Sequence, residues 1–448
     1  MLIWAQIDCY AVQIFSASSV RIWTWLEYLY VVVLLGLLTQ GPVLKLWETS
    51  GQVDSNIIDV TKFATYLVVQ IPALMLLSHR GIPSSLLKGP VGVLLVFCSW
   101  MLLSTVWATF SSYTLIESVS LFVTCLAGLY IARSFTLFQQ LSLFLVAMQP
   151  GLIVSWFAIH NNWSNAVNLE ENYWIGIYFN RNSLAPPAAL GLLAALALLL
   201  IVISRQPRFW LTISIVLASF VVFDSLLLLQ SKSSTSIGAG LVFVTVWGFW
   251  TIIRLAKRKN YLVASHYLRK VYFGFLIGCS LLILVVSRFQ NVFLALVGRE
   301  LDFSGREVLW RVSFSGFGEK PLFGWGWMSA WQTSNFFKVP TAHPVTEFGN
   351  QWSHSGIMDV LLGGGVIGAG LLVVAIIWGG SRQLERVFTQ TAGQWTFAAT
   401  WFVLVASTQE SFIVGNHFMW LLLVVSVAGH QSHKVNYSET KSTALPTT

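Results

Sequence analysis

Charge is scarce in this chain of 448 residues: Asp, Glu, Lys and Arg together make up 10% of it, against 56% hydrophobic residues. So little polar surface cannot cover a soluble domain, which excludes an ordinary globular enzyme and points to a polytopic membrane protein. Cysteine is scarce as well. Cys9, Cys98, Cys125 and Cys279 have no metal-site spacing, and the last three fall inside apolar runs, so neither a zinc site nor a disulfide framework is expected. His343 and His354 lie near one another, but no acidic residue stands at ligand spacing from both, so no metal or other cofactor is expected. A basic stripe with interleaved aromatics on a soluble domain is missing, which removes nucleic acid as a partner. Internal repeats and a soluble catalytic domain are missing too. The first residues lack a basic start and a small-residue cleavage site, so no cleaved signal is expected. Residues 1–24 are expected to lie along the membrane interface instead, with Trp4, Tyr10, Phe15 and Trp23 toward lipid.

What is present is a succession of apolar runs. About 12 of them approach the roughly 20 residues needed to cross a bilayer. They lie near 25–41, 57–77, 90–110, 113–132, 137–159, 183–203, 209–229, 236–256, 271–287, 356–378, 395–408 and 411–429. The expected fold is therefore all-α and polytopic, with one large outer loop, 288–355, that carries short helices. Residues 1–170 form a first set of transmembrane helices and 171–430 a second region that includes the loop. Residues 431–448 read as a polar, disordered cytoplasmic tail. Placing the N-terminus inside puts Arg80, Lys88, Arg133, Arg205, Arg208, the basic stretch Arg254 to Lys270, Arg382 and Arg386 on inner loops. Short outer loops are then nearly free of cations, as positive-inside topology requires. The net charge of +8 follows from that topology. Pro72 and Pro150 are expected to kink their helices. Glu117 and Asp224 fall at membrane depth, where an ionisable group is either functional or paired with a helix hydroxyl.

The chemistry concentrates on the outer side. In NQWSHSGIMDVLLGGGVIGAG, at 350–370, a polar aromatic loop runs into an apolar helix, with His354 at the junction and Ser353 or Ser355 available as a helix cap. The positive end of a helix favours the neutral imidazole, the form a general base needs; the plainer reading is an interfacial polar residue. Arg181 stands between two Asn just before a span, and Lys232 stands among hydroxyls in QSKSSTS. A cation tolerated on the outer face suggests an anionic partner. In the long loop, Ser304 and Glu307 form a capping box ahead of REVLWRVSFSGF. There Trp310, Phe314 and Phe317 are spaced to share a face that rests on the bilayer while Arg306 and Arg311 reach a lipid phosphate. PLFGWGW at 321–327 reads as a Gly-aromatic turn at the interface.

Taken together, FNRNSLA at 179–185, SKSSTS at 231–236, GREVLW at 305–310, PLFGWGW at 321–327 and HSGIMDVLLGGGVIG at 354–368 resemble the O-antigen ligase and polymerase superfamily of polytopic glycosyltransferases. The last stretch is the most specific. It matches the ligase pattern of His, a small polar residue, nine residues, then Gly-x-x-Gly, through His354, Ser355, Gly365 and Gly368. Packing explains the glycines equally, since Gly364 and Gly368 make a small face on a helix. The family often has Arg, with Leu four residues later, after the seventh span; here Lys232 and Ser236 stand there, and lysine holds phosphate only as a point charge.

The resemblance implies a metal-independent, inverting transfer of a glycan from a polyprenyl diphosphate carrier to an acceptor hydroxyl. The active site would face the periplasm across the cell inner membrane. His354 would be the base, and Arg306, with Arg181 and Arg311 or Lys232, would hold the diphosphate. Partners would be the carrier-linked glycan, a lipid or glycan acceptor, and membrane lipids. A polysaccharide polymerase of the same superfamily is the alternative, and a solute transporter, as for inorganic carbon, the alternative from another class.

Overall fold

A computed structural model describes residues 18–42, 60–82, 84–258, 306–332, 352–387 and 390–429. Several expectations lie outside these residues: the span at 271–287, the basic stretch beyond Arg258, most of the outer loop, the capping residue Ser304, His343, Cys9 and Cys279, the first interfacial residues and the C-terminal tail.

The described residues are helical almost throughout. The helices are α1 (Ser18–Leu38), α2 (Val60–Arg80), α3 (Ser84–Leu87), α4 (Pro90–Leu103), α5 (Ser111–Ser134), α6 (Leu137–His160), α7 (Arg181–Arg205), α8 (Trp210–Gln230), α9 (Ser234–Arg258), α10 (Arg306–Glu319), α11 (Gly356–Val387), α12 (Thr391–Ala406) and α13 (Phe418–Ala428). A two-residue hairpin, β1 (Val167–Asn168) and β2 (Tyr173–Trp174), pairs Val167 with Trp174 in the loop between α6 and α7. Six helices, α5, α6, α7, α8, α9 and α11, are long and apolar enough to cross a membrane. The chain is thus an all-α, helical membrane protein. Apolar helices α4 and α13 are shorter than a span. Pro72 and Pro150 lie inside α2 and α6, which continue through them.

The core centres on α13, in which every residue from Phe418 to Val427 is buried. It is surrounded by α4, α5, α11 and α12, and its Trp420 indole donates to the Leu121 carbonyl at 3.0 Å. Around this centre, α1 packs on α6, α6 on α7, and α7 on both α8 and α9, while α9 returns to α12. Trp250, Trp395, Phe243 and Phe397 close that last seam edge to face. The outermost helix is α8, apolar on every side and mostly exposed, which suits a helix facing lipid. Its Asp224 is buried against α6 and accepts from the Gln149 amide at 3.1 and 3.2 Å. Its partner is therefore a carboxamide, where a helix hydroxyl was the structural expectation.

Short connections make successive helices antiparallel, so the bundle has two distinct ends. At one end meet the ends of α2, α5, α7, α9 and α11, carrying Arg80, Arg133, Arg205, Arg254, Arg382 and Arg386. Arg133 donates to the Arg80 carbonyl at 2.8 Å, and Arg254 to Thr391 at the start of α12 at 2.8 Å. The opposite end gathers the starts of α7, α9, α10 and α11 with the segment that follows α12.

Candidate functional site

Glu410 lies in the segment linking α12 to α13. Its carboxylate accepts from Arg306 Nη2 at 2.5 Å and from Asn182 Nδ2 at 2.6 Å through one oxygen, and its other oxygen lies 3.3 Å from His354 Nδ1. Gln409 Oε1 accepts from Arg306 Nη1 at 3.4 Å. Arg306, His354 and Glu410 are all largely buried, with 15%, 24% and 11% of their side chains exposed. Three helix starts, α7, α10 and α11, thus turn a side chain onto one carboxylate. A fourth joins through Ser233, whose hydroxyl donates to Asn182 Oδ1 at 2.8 Å, immediately before α9.

Local geometry explains each placement. Arg306 opens α10, whose buried stripe continues through Leu309, Ser313 and Gly316, and this stripe carries Arg306 inward. Five residues on, at about 100° per residue, Arg311 falls some 140° around the helix and is exposed. The two arginines therefore do not share a face, and Arg311 joins neither cluster among the described residues. The expected aromatic face divides in the same way: Phe314 is exposed, whereas Phe317 packs near Trp325 and Leu362. His354 takes the left-handed region, with φ of 52°, one residue outside the run into α11, and this turn aims its ring at Glu410. Ser353 does not cap the helix. Its hydroxyl donates to Asp359 at 2.6 Å and accepts from the Ser355 amide at 3.2 Å, while the Gly356 amide donates to the Ser407 and Glu410 carbonyls at 2.9 and 3.1 Å. Those two bonds tie the start of α11 to the Glu410 segment. Asp359 accepts further from Ser411, which braces the same segment.

Next to this cluster lies a second one. Arg181 pairs with the Glu171 carboxylate at 3.1 Å and stacks over Tyr173 at 4.7 Å, while Lys232 Nζ donates to the Glu171 carbonyl at 3.1 Å. Lys232 is also left-handed, with φ of 52°. Arg181 and Lys232 share one hairpin residue, and their chain neighbours Asn182 and Ser233 belong to the Glu410 cluster. The structure therefore gathers Arg306 and His354 on one carboxylate, sets Arg181 and Lys232 beside them, and leaves Arg311 apart.

The glycines serve different purposes. Gly368 and Gly364 face Met101 and Trp100 of α4, where a Cβ would crowd them. Gly365 instead breaks α11, with φ of 64° and ψ of −165°. The freed backbone is taken up by the PLFGWGW turn: Trp325 and Gly326 amides donate to Leu362 and Gly363 carbonyls at 2.7 and 3.1 Å, and the Val366 amide donates to Pro321 at 2.8 Å. Trp100 Nε1 donates to the Gly364 carbonyl at 2.9 Å. Two stretches that look independent in the sequence thus form one clasp that holds the first turns of α11, and with them His354.

Sequence reasoning missed Glu410, Gln409 and Asn182. One signal was available: in a chain with only 18 acidic residues, an acid in the short break between two apolar runs on the outer side needs a partner. Among the described residues, no group of three or more His, Cys, Asp or Glu side chains is placed to hold a metal ion. No family model matches the chain, and no curated protein matches it.

Proposed function

We propose that this chain is a metal-independent, inverting membrane glycosyltransferase that moves a glycan from a polyprenyl diphosphate carrier to an acceptor hydroxyl, in the manner of an O-antigen ligase. The observation that carries the reading is the carboxylate of Glu410, on which a guanidinium and an imidazole meet beside two further cations. Transfer from a diphosphate needs cations for the leaving group and one base for the acceptor, and little else. Arg306 spends part of its five-donor fork on Glu410 and Gln409 and presents the remainder to phosphate. Arg181 and Lys232 supply further positive charge.

His354 Nδ1–H donates to Glu410, which leaves Nε2 as the acceptor for the proton of the incoming hydroxyl. The acceptor oxygen attacks the anomeric carbon, the bond from that carbon to the diphosphate oxygen breaks, and polyprenyl diphosphate leaves with the electron pair. Glu410 stabilises the imidazolium that forms, as a carboxylate does behind any catalytic histidine. A single displacement inverts the anomeric centre. The basic end of the bundle faces the cytoplasm in this reading, the Glu410 end faces the periplasm across the inner membrane, and about 12 spans complete the chain. A polymerase would differ only in taking a second carrier-linked glycan as acceptor.

One observation favours a transporter instead: α11 is broken at membrane depth and Asp359 is buried in its first half, an arrangement used by ion-coupled carriers. Against it, the backbone groups freed at Gly365 are bonded to the PLFGWGW turn and not left facing a cavity.

The deciding assay is transfer of a labelled glycan from polyprenyl diphosphate to acceptor in liposomes. Wild type should transfer with inversion and without added metal. His354→Ala and His354→Gln should each lose about 10²–10⁴-fold in turnover with little change in donor affinity. Solute uptake by wild type with no transfer from any donor would replace this reading by the transporter.

A further inference from the structure

Asp359 is buried in the first turn of α11 and has no part in the chemical steps proposed above. Its two oxygens nevertheless reach both sides of the His354–Glu410 pair. Oδ1 accepts from the Ser353 amide at 3.0 Å and from the Ser353 hydroxyl at 2.6 Å. Oδ2 accepts from the Ser411 hydroxyl. Ser353 directly precedes His354, and Ser411 directly follows Glu410. A carboxylate is a rigid, planar group. Its two oxygens therefore fix the backbone that carries the imidazole relative to the backbone that carries its counter-charge.

Neither segment is held by regular structure of its own. His354 is left-handed, with φ of 52°, a region that a residue other than glycine keeps only when its surroundings impose it. Residues 407–417, between α12 and α13, form neither helix nor strand. Helix capping explains half of the arrangement. A carboxylate in a first turn is favoured by the positive end of the helix and bonds readily to an amide ahead of it, which accounts for Ser353. It does not account for Ser411, which comes from another segment 52 residues along the chain. The pair so held is also sensitive to displacement. His354 Nδ1 lies 3.3 Å from Glu410, longer than the roughly 2.7–2.9 Å of a strong charge-assisted hydrogen bond, so a small further separation would lose it. We propose that Asp359 is a positioning residue, which sets the distance and angle between His354 and Glu410 by holding the neighbour of each. This role presupposes the transfer proposed above, with His354 as base.

The test uses the full chain in liposomes and measures turnover and donor affinity separately, with the labelled polyprenyl diphosphate glycan as donor. Misplacing a catalytic group by about 1 Å can cost about 10²-fold, so Asp359→Ala should lower kcat by about that factor and leave donor affinity nearly unchanged. Ser353→Ala and Ser411→Ala each release one side and should each lose less. The double serine variant should lose no more than Asp359→Ala, because both contacts act through one carboxylate. Asp359→Asn keeps an acceptor for Ser353, and its amide can donate to the Ser411 oxygen, so it should recover most of the turnover. An Asn variant as slow as the Ala variant would overturn positioning in favour of the charge itself. Parallel loss of donor affinity and turnover would overturn it in favour of a general structural role. If Asp359→Ala fails to fold, the two serine variants, which remove no charge, decide. Wild-type turnover in those variants would overturn the role of Asp359 alone, whereas no transfer by wild type would overturn the proposed function and this role with it.

Discussion

Glu410 is one carboxylate with three donors, and its replacement separates support from catalysis. Removing one partner of a largely buried ion pair leaves the other charged and unpaired, which typically costs about 3–5 kcal/mol. Glu410→Ala should therefore lower the melting temperature more than the Arg306→Ala, Glu410→Ala double variant, in which no charge is stranded; equal losses would mean that the pair is not coupled. Glu410→Gln keeps the shape and one acceptor, so it should fold and still lose transfer, because the imidazolium has no counter-charge. Arg306→Lys should likewise insert and fold but lose most transfer, since an ammonium cannot offer paired hydrogen bonds to a phosphate. Another single side chain secures the start of α13. His417 accepts from the Met419 amide at 3.1 Å and stacks between Phe412 and Phe418. His417→Asn, itself a competent cap, should keep the melting temperature closer to wild type than His417→Ala, which leaves that amide without its acceptor at a cost of about 1 kcal/mol. Equal melting temperatures for the two variants would remove His417 from this role.

At the scale of elements, the break in α11 is the feature on which the site's geometry depends. A side chain at Gly365 meets two obstacles: the left-handed φ and the Leu322 carbonyl oxygen, toward which a Cβ would point. Left-handed strain alone costs on the order of 1–3 kcal/mol, and the clash adds to it. Gly370, one turn further along the same helix, has open space around it. Gly365→Ala should therefore lower the melting temperature and displace the PLFGWGW turn, whereas Gly370→Ala should be neutral or slightly stabilising by helix propensity. Equal tolerance of both substitutions, read by melting and by fluorescence of the tryptophans in the turn, would contradict the clasp.

For the whole molecule, the proposed orientation rests on the division of charge between the two ends. Arg80, Arg133, Arg205, Arg208, Arg254, Arg382 and Arg386 lie at one end, and the Glu410 cluster and the hairpin lie at the other. In a variant without native cysteines, Glu170→Cys in the exposed hairpin loop should react with a membrane-impermeant maleimide in intact spheroplasts. Arg208→Cys, exposed between α7 and α8, should react only after permeabilisation. The reverse pattern would turn the molecule over and place the candidate site in the cytoplasm.

Composition and periodicity were enough to determine the helical membrane class, because the cost of exposing backbone and charge to lipid acts on every residue of a span alike. They also singled out Arg181, Lys232, Arg306 and Arg311, since a cation on an expected outer loop is conspicuous in a chain so poor in charge, and His354 at the junction of a polar loop with an apolar run. What the linear order did not contain was the common partner of Arg306 and His354. Glu410 lies in the segment after α12, distant in sequence from both, and only the packing of α13 at the centre of the bundle brings that segment against the starts of α7, α10 and α11. The separate fates of Arg306 and Arg311 followed from which stripe of α10 is buried, which depends on the neighbour it meets. Gly365 read as packing because a glycine on an apolar helix face looks the same whether it admits another helix or breaks its own. The turn at 321–327, folding back onto α11, decided between the two.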